Sequence, residues 1–161
     1  MIDRLALSLL LSLLVVGGCE AGEQSTQGSR ILTAADAAPA SVKSEKLRMW
    51  MTVGERSFAI TLSDNEAARA LSTQLPLTLD FAELNGNEKH ASLPKALPAN
   101  ASRPGTIRNG DLMLYGSDTL VVFYLTFDSS YSYTRLGRVD DPAALAQALG
   151  KRSVRIIFSK D

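Results

Sequence analysis

The sequence predicts a mainly β fold, a small closed barrel of about eight strands with two short helices. Apolar and polar residues alternate in several short segments, and further segments are short continuous apolar runs. Turn residues separate these segments at fairly even spacing. A barrel is favoured over an open sheet because closure leaves no strand edge exposed.

A hairpin within residues 106–125 is the centre of the predicted sheet. Its two apolar runs are residues 112–115 and 120–125, and the break between them is Gly-Ser-Asp at 116–118. Each run is too short for a buried helix, and the second has no polar face. We therefore expect the second strand to be buried on both faces, in the middle of the sheet.

The segment before this hairpin predicts another hairpin and a helix. Alternating residues over 47–53 and 58–62 form the two strands, and Gly-Glu at 54–55 suits a two-residue turn. Ser63 and Glu66 match a capping box, which predicts a helix directly after the second strand.

The rest of the domain contains two polar connections and a second helix. Residues 93–105 form a loop of about a dozen residues with three prolines, and residues 127–132 form a shorter connection. Asp141 suits the N-cap of the second helix, with Pro142 at its first position. The remaining predicted strands cover residues 77–84, 133–139 and 154–158.

Composition excludes several classes of function. The chain has 17 basic and 17 acidic residues, so it lacks the basic surplus that is typical of proteins that bind nucleic acid. It contains one cysteine, Cys19, and one histidine, His90, which cannot form a zinc site of Cys and His ligands. His90 is interpreted as a surface residue. We predict no catalytic residue, no metal and no other cofactor.

The N-terminus predicts export and a lipid anchor. Residues 1–18 contain an apolar core of roughly a dozen residues, which is short for a membrane span and typical of a signal peptide. Residues 15–19, Val-Val-Gly-Gly-Cys, resemble the lipobox of bacterial lipoproteins. The resemblance implies a diacylglycerol on Cys19 and an acylated amine, which together anchor a protein stably. The alternatives are an ordinary signal peptide and a buried helix with a chance cysteine.

The segment after Cys19 predicts a tether to a folded domain. Residues 19–44 are rich in Ala, Ser, Gly, Thr and Gln and contain no aromatic residue, so we expect a flexible linker. Residues 45–161 form the domain. Glu20 stands where many enteric lipoproteins of the inner membrane have Asp. We therefore predict a protein of the bacterial cell envelope, on the periplasmic side of the outer membrane in a Gram-negative source.

Several strings of the domain resemble the bacterial cyclophilin-like domain family. They include Leu-Asn-Gly-Asn-Glu-Lys at 84–89, Gly-Asp-Leu-Met-Leu-Tyr-Gly at 110–116 and Tyr-Ser-Tyr-Thr-Arg-Leu-Gly at 131–137. The resemblance spans residues 46–159 and implies a closed eight-stranded barrel with a helix at each open end. It implies no activity. Cyclophilin-type prolyl isomerases carry an Arg followed five residues later by Phe and three further on by Gln, and no Arg here has a Phe at that spacing.

A polar and aromatic surface is the candidate binding site. Its predicted ligand-binding residues are Asn87, Lys89, Tyr131, Tyr133 and Arg135. Tyr133 and Arg135 are two apart on one strand, so both side chains leave the same face, and a charged Arg belongs outside the barrel core. Tyrosine supplies an apolar ring with a hydrogen-bonding tip, and Arg binds carboxylates and carbonyls with two donors. The alternative is a structural role, in which Arg135 only forms an ion pair with Asp140 or Glu88.

These observations predict a monomeric, membrane-tethered module that binds a peptide or protein partner in the envelope. The first alternative is an envelope peptidyl-prolyl cis-trans isomerase with a non-standard site. The second is a purely structural accessory domain. The polar turn at 85–89 and the Leu-Pro start of the long loop at 93–94 are further binding candidates.

Overall fold

A computed structural model of the protein describes residues 46–161. The predicted signal peptide, Cys19 and the predicted tether lie outside these described residues. Neither helix in residues 46–161 is long and apolar enough to cross a membrane. The elements in chain order are β1 Arg48–Val53, β2 Arg56–Leu62, α1 Glu66–Thr73, β3 Leu77–Leu84, β4 Glu88–Ser92, β5 Gly105–Ile107, β6 Asp111–Tyr115, β7 Thr119–Phe123, β8 Phe127–Ser129, β9 Thr134–Val139, α2 Leu145–Leu149 and β10 Val154–Lys160.

Eight strands close into an antiparallel barrel, which confirms the predicted fold class. The order around the barrel is β1, β10, β3, β4, β7, β6, β9 and β2, and β2 pairs again with β1. The central hairpin is β6 and β7, and it lies between β4 and β9. β1 and β2 lie on the opposite side of the barrel from β7 and β4.

The barrel interior is one continuous apolar core. Alternate residues of each strand point into it, and Phe81 and Phe158 pack there with ring centroids 6.0 Å apart. Both helices bury their apolar faces in the same cluster, α1 through Leu71 and α2 through Leu145 and Leu149. Burial of these side chains is the main stabilising contribution to the fold.

A second apolar cluster lies on the outside of the barrel wall. The short strands β5 and β8 form a two-stranded ribbon that packs over β6 and β7. The cluster consists of Ile107, Met113, Val121, Phe123 and Tyr133, with Phe127 packed against it. β7 is therefore buried on both faces, as its unbroken apolar sequence predicts.

The ribbon itself was not predicted from the sequence. β5 begins at the last residue of the expected proline-rich loop and extends to Ile107, and β8 lies in the segment expected to be a polar connection. Each strand has three residues, which is too few for an alternating pattern to be visible. Polar side chains also contribute to the pairing, since Thr106 Oγ1 donates a hydrogen bond to Asp128 Oδ1 at 2.8 Å.

Both predicted helix caps are wrong in detail. The cap of α1 is Asn65, whose Oδ1 accepts a hydrogen bond from the Ala68 backbone N–H at 2.9 Å. The Ser63 backbone N–H instead donates to the Leu136 carbonyl, which continues the sheet. Asp141 accepts from the Ala143 N–H, but it stabilises a turn, and α2 begins only at Leu145.

Candidate ligand-binding groove on the barrel wall

A groove of about 370 Å³ lies on the outer wall of the barrel, where β4, β7 and the end of β6 meet. Strand alternation sends the side chains of Glu88 and His90 to this outer face, while Ala91 points into the core. The segment between β8 and β9 closes one side of the groove. The lining residues are Leu84, Asn85, Glu88, His90, Tyr115, Thr119, Val121, Tyr131 and Tyr133.

Three tyrosines form the aromatic part of this groove. Tyr133 is buried and packs edge-on against Phe123, with ring centroids 5.5 Å apart and an interplanar angle of 89°. Tyr115 lies beside it at 5.8 Å and is 50% exposed, and Tyr131 is 64% exposed. One ring therefore forms the floor, and two rings are available to a ligand.

The floor is held in place by the long loop. The backbone N–H groups of Ser102 and Tyr133 each donate a hydrogen bond to the other residue's carbonyl, at 3.0 Å in both directions. This isolated bridge connects the proline-rich segment to the buried tyrosine, which directly precedes β9. The Tyr133 ring is therefore fixed by its backbone as well as by its packing.

Glu88 is the one carboxylate of the groove. The residue is only 7% exposed, and within residues 46–161 its side chain has no hydrogen-bond or ion-pair partner. Burial, followed by the negative charge of Glu83, raises the pKa of Glu88 above its ordinary value. The carboxylate oxygens are not among the fully buried side-chain atoms that lack a partner, so they reach the groove, where a ligand can supply a donor.

Lys89 lies on the other side of the wall, so the structure does not bring it to the groove. It is fully buried, and its Nζ forms an ion pair with Glu83 Oε2 at 2.5 Å. Nζ also donates to the Arg152 carbonyl at 2.6 Å. The Tyr124 hydroxyl donates to Glu83 Oε1 at 2.7 Å. Lysine is rarely buried without such a partner, and the sequence did not reveal this one because Glu83 is on a different strand.

The same contacts shift the pKa values of Glu83 and Tyr124, which form an inner cluster with Lys89. Burial alone would raise the pKa of Glu83, but the hydrogen bonds from Lys89 and Tyr124 outweigh it and the pKa is lowered. Burial, followed by the hydrogen bond to Glu83, raises the pKa of Tyr124. The cluster therefore holds an ionised Glu83 at neutral pH.

Arg135 and Tyr133 share the outer face, as their spacing predicts, but they do not share a groove. Arg135 is exposed and lies 3.4 Å from Asp111 Oδ2, so its partner is neither Asp140 nor Glu88. Tyr133 is covered by the outer apolar cluster, and its predicted exposure is wrong. β9 contains a β-bulge between Arg135 and Gly137, because Met113 of β6 pairs with Arg135 while Leu112 pairs with Gly137. The bulge therefore does not lie between Tyr133 and Arg135.

Arg135 lines a wider, mixed-charge depression of about 770 Å³ on the β2 and β9 side of the wall. Asp111 is nearly buried there and also lies 3.7 Å from Arg138. Asn87 lines a third, smaller depression of about 160 Å³ beside the groove, together with Tyr131 and Tyr133. Of the five predicted ligand-binding residues, the structure thus brings Tyr131 and Tyr133 to the groove and Asn87 to its border. A binding role for any of them stays a prediction.

Tyr115 and His90 line the groove but were not among the residues predicted to bind a ligand. The signal for His90 was present, because Glu88 and His90 are two apart on one strand and must share a face. Tyr115 could not have been assigned, since its position depends on the packing of β6 against the segment that carries Tyr133. Among the described residues, no group of three His, Cys, Asp or Glu side chains is placed to hold a metal ion.

Comparisons with known proteins agree with the barrel. No curated protein matches the sequence. The solution structure of a hypothetical protein from Archaeoglobus fulgidus is similar, with a TM-score of 0.51 and 11% sequence identity over 72% of this chain and 95% of that one. At that identity the likeness shows the fold alone. The family model described as the cyclophilin-like family matches residues 51–159, and the chain therefore belongs to the cyclophilin-like family.

Proposed function

We propose that the protein is a membrane-tethered binding module, and that the groove beside Tyr131 holds a short peptide segment of a partner in the cell envelope. One observation carries the proposal: an open groove of about 370 Å³ combines exposed aromatic rings with the carboxylate of Glu88, a residue that is largely buried and lines the groove. Ligand sites typically combine an apolar lining with a few polar groups that fix orientation.

The exposed rings support binding because the fold does not need them there. Tyr115 and Tyr131 are large side chains that remain at least half exposed beside a concave surface. Tyrosine is enriched at interfaces because it buries a large apolar area and still offers a hydroxyl group. Isolated exposed aromatic residues are common, whereas a pair around a groove favours a contact surface.

The tether and the location rest on the N-terminal sequence. The lipobox-like residues 15–19 and the sole cysteine, Cys19, support lipid attachment in the envelope. The composition of residues 19–44 supports a linker between that lipid and the barrel.

The isomerase alternative has less support. A cyclophilin-type isomerase uses an Arg to polarise the prolyl carbonyl, and the sequence lacks that Arg-Phe-Gln string. In the part of the chain that the structure describes, no Arg lines the groove. The groove thus has aromatic side chains that can contact a peptide but no Arg that can polarise its prolyl carbonyl, which favours binding over catalysis.

A peptide library tests this function on the full chain, purified in a non-ionic detergent. We expect selected heptapeptides to bind, and Tyr131→Ala to weaken them by about tenfold or more, the loss typical of an aromatic interface residue. Trp50→Ala is the matched control, because Trp50 is a partly exposed aromatic residue on β1, on the opposite side of the barrel. Absence of any selected peptide, or equal affinity for wild type and Tyr131→Ala, would contradict the proposal. Proline-containing peptides in the same preparation report isomerase activity, and a rate above background would favour the alternative.

A further inference from the structure

The groove carries a specific charge pattern. Glu88 is its single acidic residue, His90 is the other titratable group besides the tyrosines, and no Lys or Arg of residues 46–161 lines it. Glu88 is more than nine-tenths buried and lines the cavity without a partner among those residues. Its carboxylate oxygens are open to the groove rather than fully buried, and a ligand that enters the groove can supply a donor or a cation to them.

Lys89 does not supply that component, although it is the next residue. Adjacent strand residues point to opposite faces, and Lys89 Nζ is held inside the wall by Glu83 and by the Arg152 carbonyl. The negative charge of Glu83 also acts on Glu88 and disfavours its ionisation further. The free protein therefore keeps an acidic group without an ion-pair partner, among the described residues, in the lining of the groove.

The tyrosines favour the same kind of ligand. The face of an aromatic ring carries a negative electrostatic potential and attracts cations, most strongly where water is excluded. Tyr115 and Tyr133 are 5.8 Å apart and tilted by 56°, so ring surfaces with different orientations border the cavity that also contains Glu88. The exposed Tyr131 adds a third ring at the rim.

We propose that the groove selects peptide segments with a cationic side chain, lysine or arginine, whose charged end donates hydrogen bonds to the Glu88 carboxylate. The methylene stem of that side chain packs along Tyr115 and Tyr131, since long cationic side chains bury their stems on apolar surfaces. This inference rests on the proposed peptide-binding function and adds the chemical class of the bound residue.

Four blocked peptides test the selectivity on the full chain in a non-ionic detergent. They are acetyl-Ala-Ala-Xaa-Ala-Ala-amides in which Xaa is lysine, arginine, norleucine or glutamate. Binding is followed by NMR titration of the backbone amides of Glu88, His90 and Val121. We expect the lysine and arginine peptides to bind at least about tenfold more tightly than the norleucine peptide, as a charge-assisted hydrogen bond requires, and the glutamate peptide to bind most weakly.

Glu88→Gln keeps the shape of the side chain and removes its charge, so it should abolish the preference for lysine over norleucine. Glu55→Gln is the matched control, because Glu55 is an exposed acid in the β1–β2 turn on the opposite side of the barrel, and the preference should remain. Equal binding of the lysine and norleucine peptides to the wild type would overturn the charge selectivity while leaving peptide binding intact. Absence of groove shifts with every peptide would overturn both proposals. The comparison of the four peptides on the wild-type protein tests the charge selectivity even if the Glu88→Gln variant fails to fold.

Discussion

Glu88 and Lys89 are neighbours in the sequence and lie on opposite sides of the barrel wall. Lys89 is fully buried, yet Glu83 and the Arg152 carbonyl compensate its charge. Glu88 is almost as buried and has no such partner in the described chain. The alternation of a single strand thus separates a charge that stabilises the wall from a charge that remains available to a ligand.

The raised pKa of Glu88 has a consequence for stability. The folded state binds the Glu88 proton more tightly than the unfolded state, where the ordinary value is 4.5. The stabilisation that comes from this tighter proton binding is therefore fully present below pH 4.5 and is lost as the pH rises through the folded-state pKa. Glu88→Gln does not titrate, so we expect its melting temperature to exceed that of the wild type at pH 7, and the difference to disappear near pH 4.

Thermal melts from pH 4 to pH 8 measure this effect, with Glu55→Gln as the exposed control that should follow the wild type. The other titratable groups that line the groove with Glu88 are His90 on its own strand and the three tyrosines, and the charge of Glu83 acts on it from the other side of the wall. Because all of these are retained in the variant, the difference between the two curves isolates Glu88. A Glu88→Gln protein that is less stable than the wild type at pH 7 would show that the carboxylate has a stabilising partner.

At the scale of the elements, β9 depends on one close approach. The strand pairs with β6 on one side and β2 on the other, and its register against β6 shifts between Arg135 and Gly137. At Gly137 an added β-carbon would lie 2.6 Å from the Thr61 carbonyl oxygen and 3.1 Å from the Leu62 α-carbon. Both are backbone atoms of β2, so they cannot move without disturbing the sheet.

We therefore expect Gly137→Ala to lower the free energy of unfolding by about 2 kcal/mol, the typical cost of overpacking. Urea denaturation followed by circular dichroism measures it. Gly116→Ala is the control, because its β-carbon would contact nothing within 4 Å and its cost of roughly 1 kcal/mol comes only from a left-handed backbone, with φ of 61°. A Gly137→Ala protein as stable as the wild type would mean that β2 and β9 separate easily.

The elements also show how far the sequence predicts the fold. The barrel strands were predictable because alternation and short apolar runs reflect local burial, and β7 lacks a polar face because two layers cover it. The β5–β8 ribbon was not predictable, because strands of three residues are too short to show an alternating pattern. The start of α2 was misplaced because Asp141 and Pro142 favour a turn as well as a helix.

The candidate site was less predictable than the barrel. The spacing of Tyr133 and Arg135 correctly placed both on the outer face. The spacing could not show that Phe123 and Tyr115 pack against Tyr133. It also could not show that Arg135 pairs with Asp111, because these contacts join different segments of the chain. Periodicity predicts which face a side chain occupies, whereas its exposure depends on what the rest of the chain places over that face.

At the scale of the whole molecule, the groove is assembled from three separate segments on a continuous sheet. Residues 84–90, 115–121 and 131–133 contribute to it, and the β4–β7–β6 ladder fixes the first two relative to each other. A shared barrel does not by itself define a function, and the likeness to a structure with 11% identity shows the fold alone. We therefore expect the function to depend on the side chains that line the groove on the outer wall.

We propose that Cys19 attaches the molecule to a membrane. The apolar core of the predicted signal peptide ends at Gly18, and Cys19 is the sole cysteine of the chain. We expect the wild type, expressed in a bacterial host, to incorporate an alkynyl palmitate analogue and to sediment with membranes. Cys19→Ser should lose the label and change its processing, because the thioether that carries the diacylglycerol cannot form.

A displaced cysteine separates lipobox recognition from general acylation of thiols. In the double variant Cys19→Ser with Ser25→Cys, the thiol is six residues further along the chain and no longer follows Gly18. We expect this variant to remain unlabelled, because the processing enzymes recognise the small residues directly before the cysteine. Labelling of Cys19→Ser at the wild-type level would exclude Cys19 as the lipid site. Labelling restored only by Ser25→Cys would show that position is unimportant, and the segment before Cys19 would then act as an ordinary signal peptide.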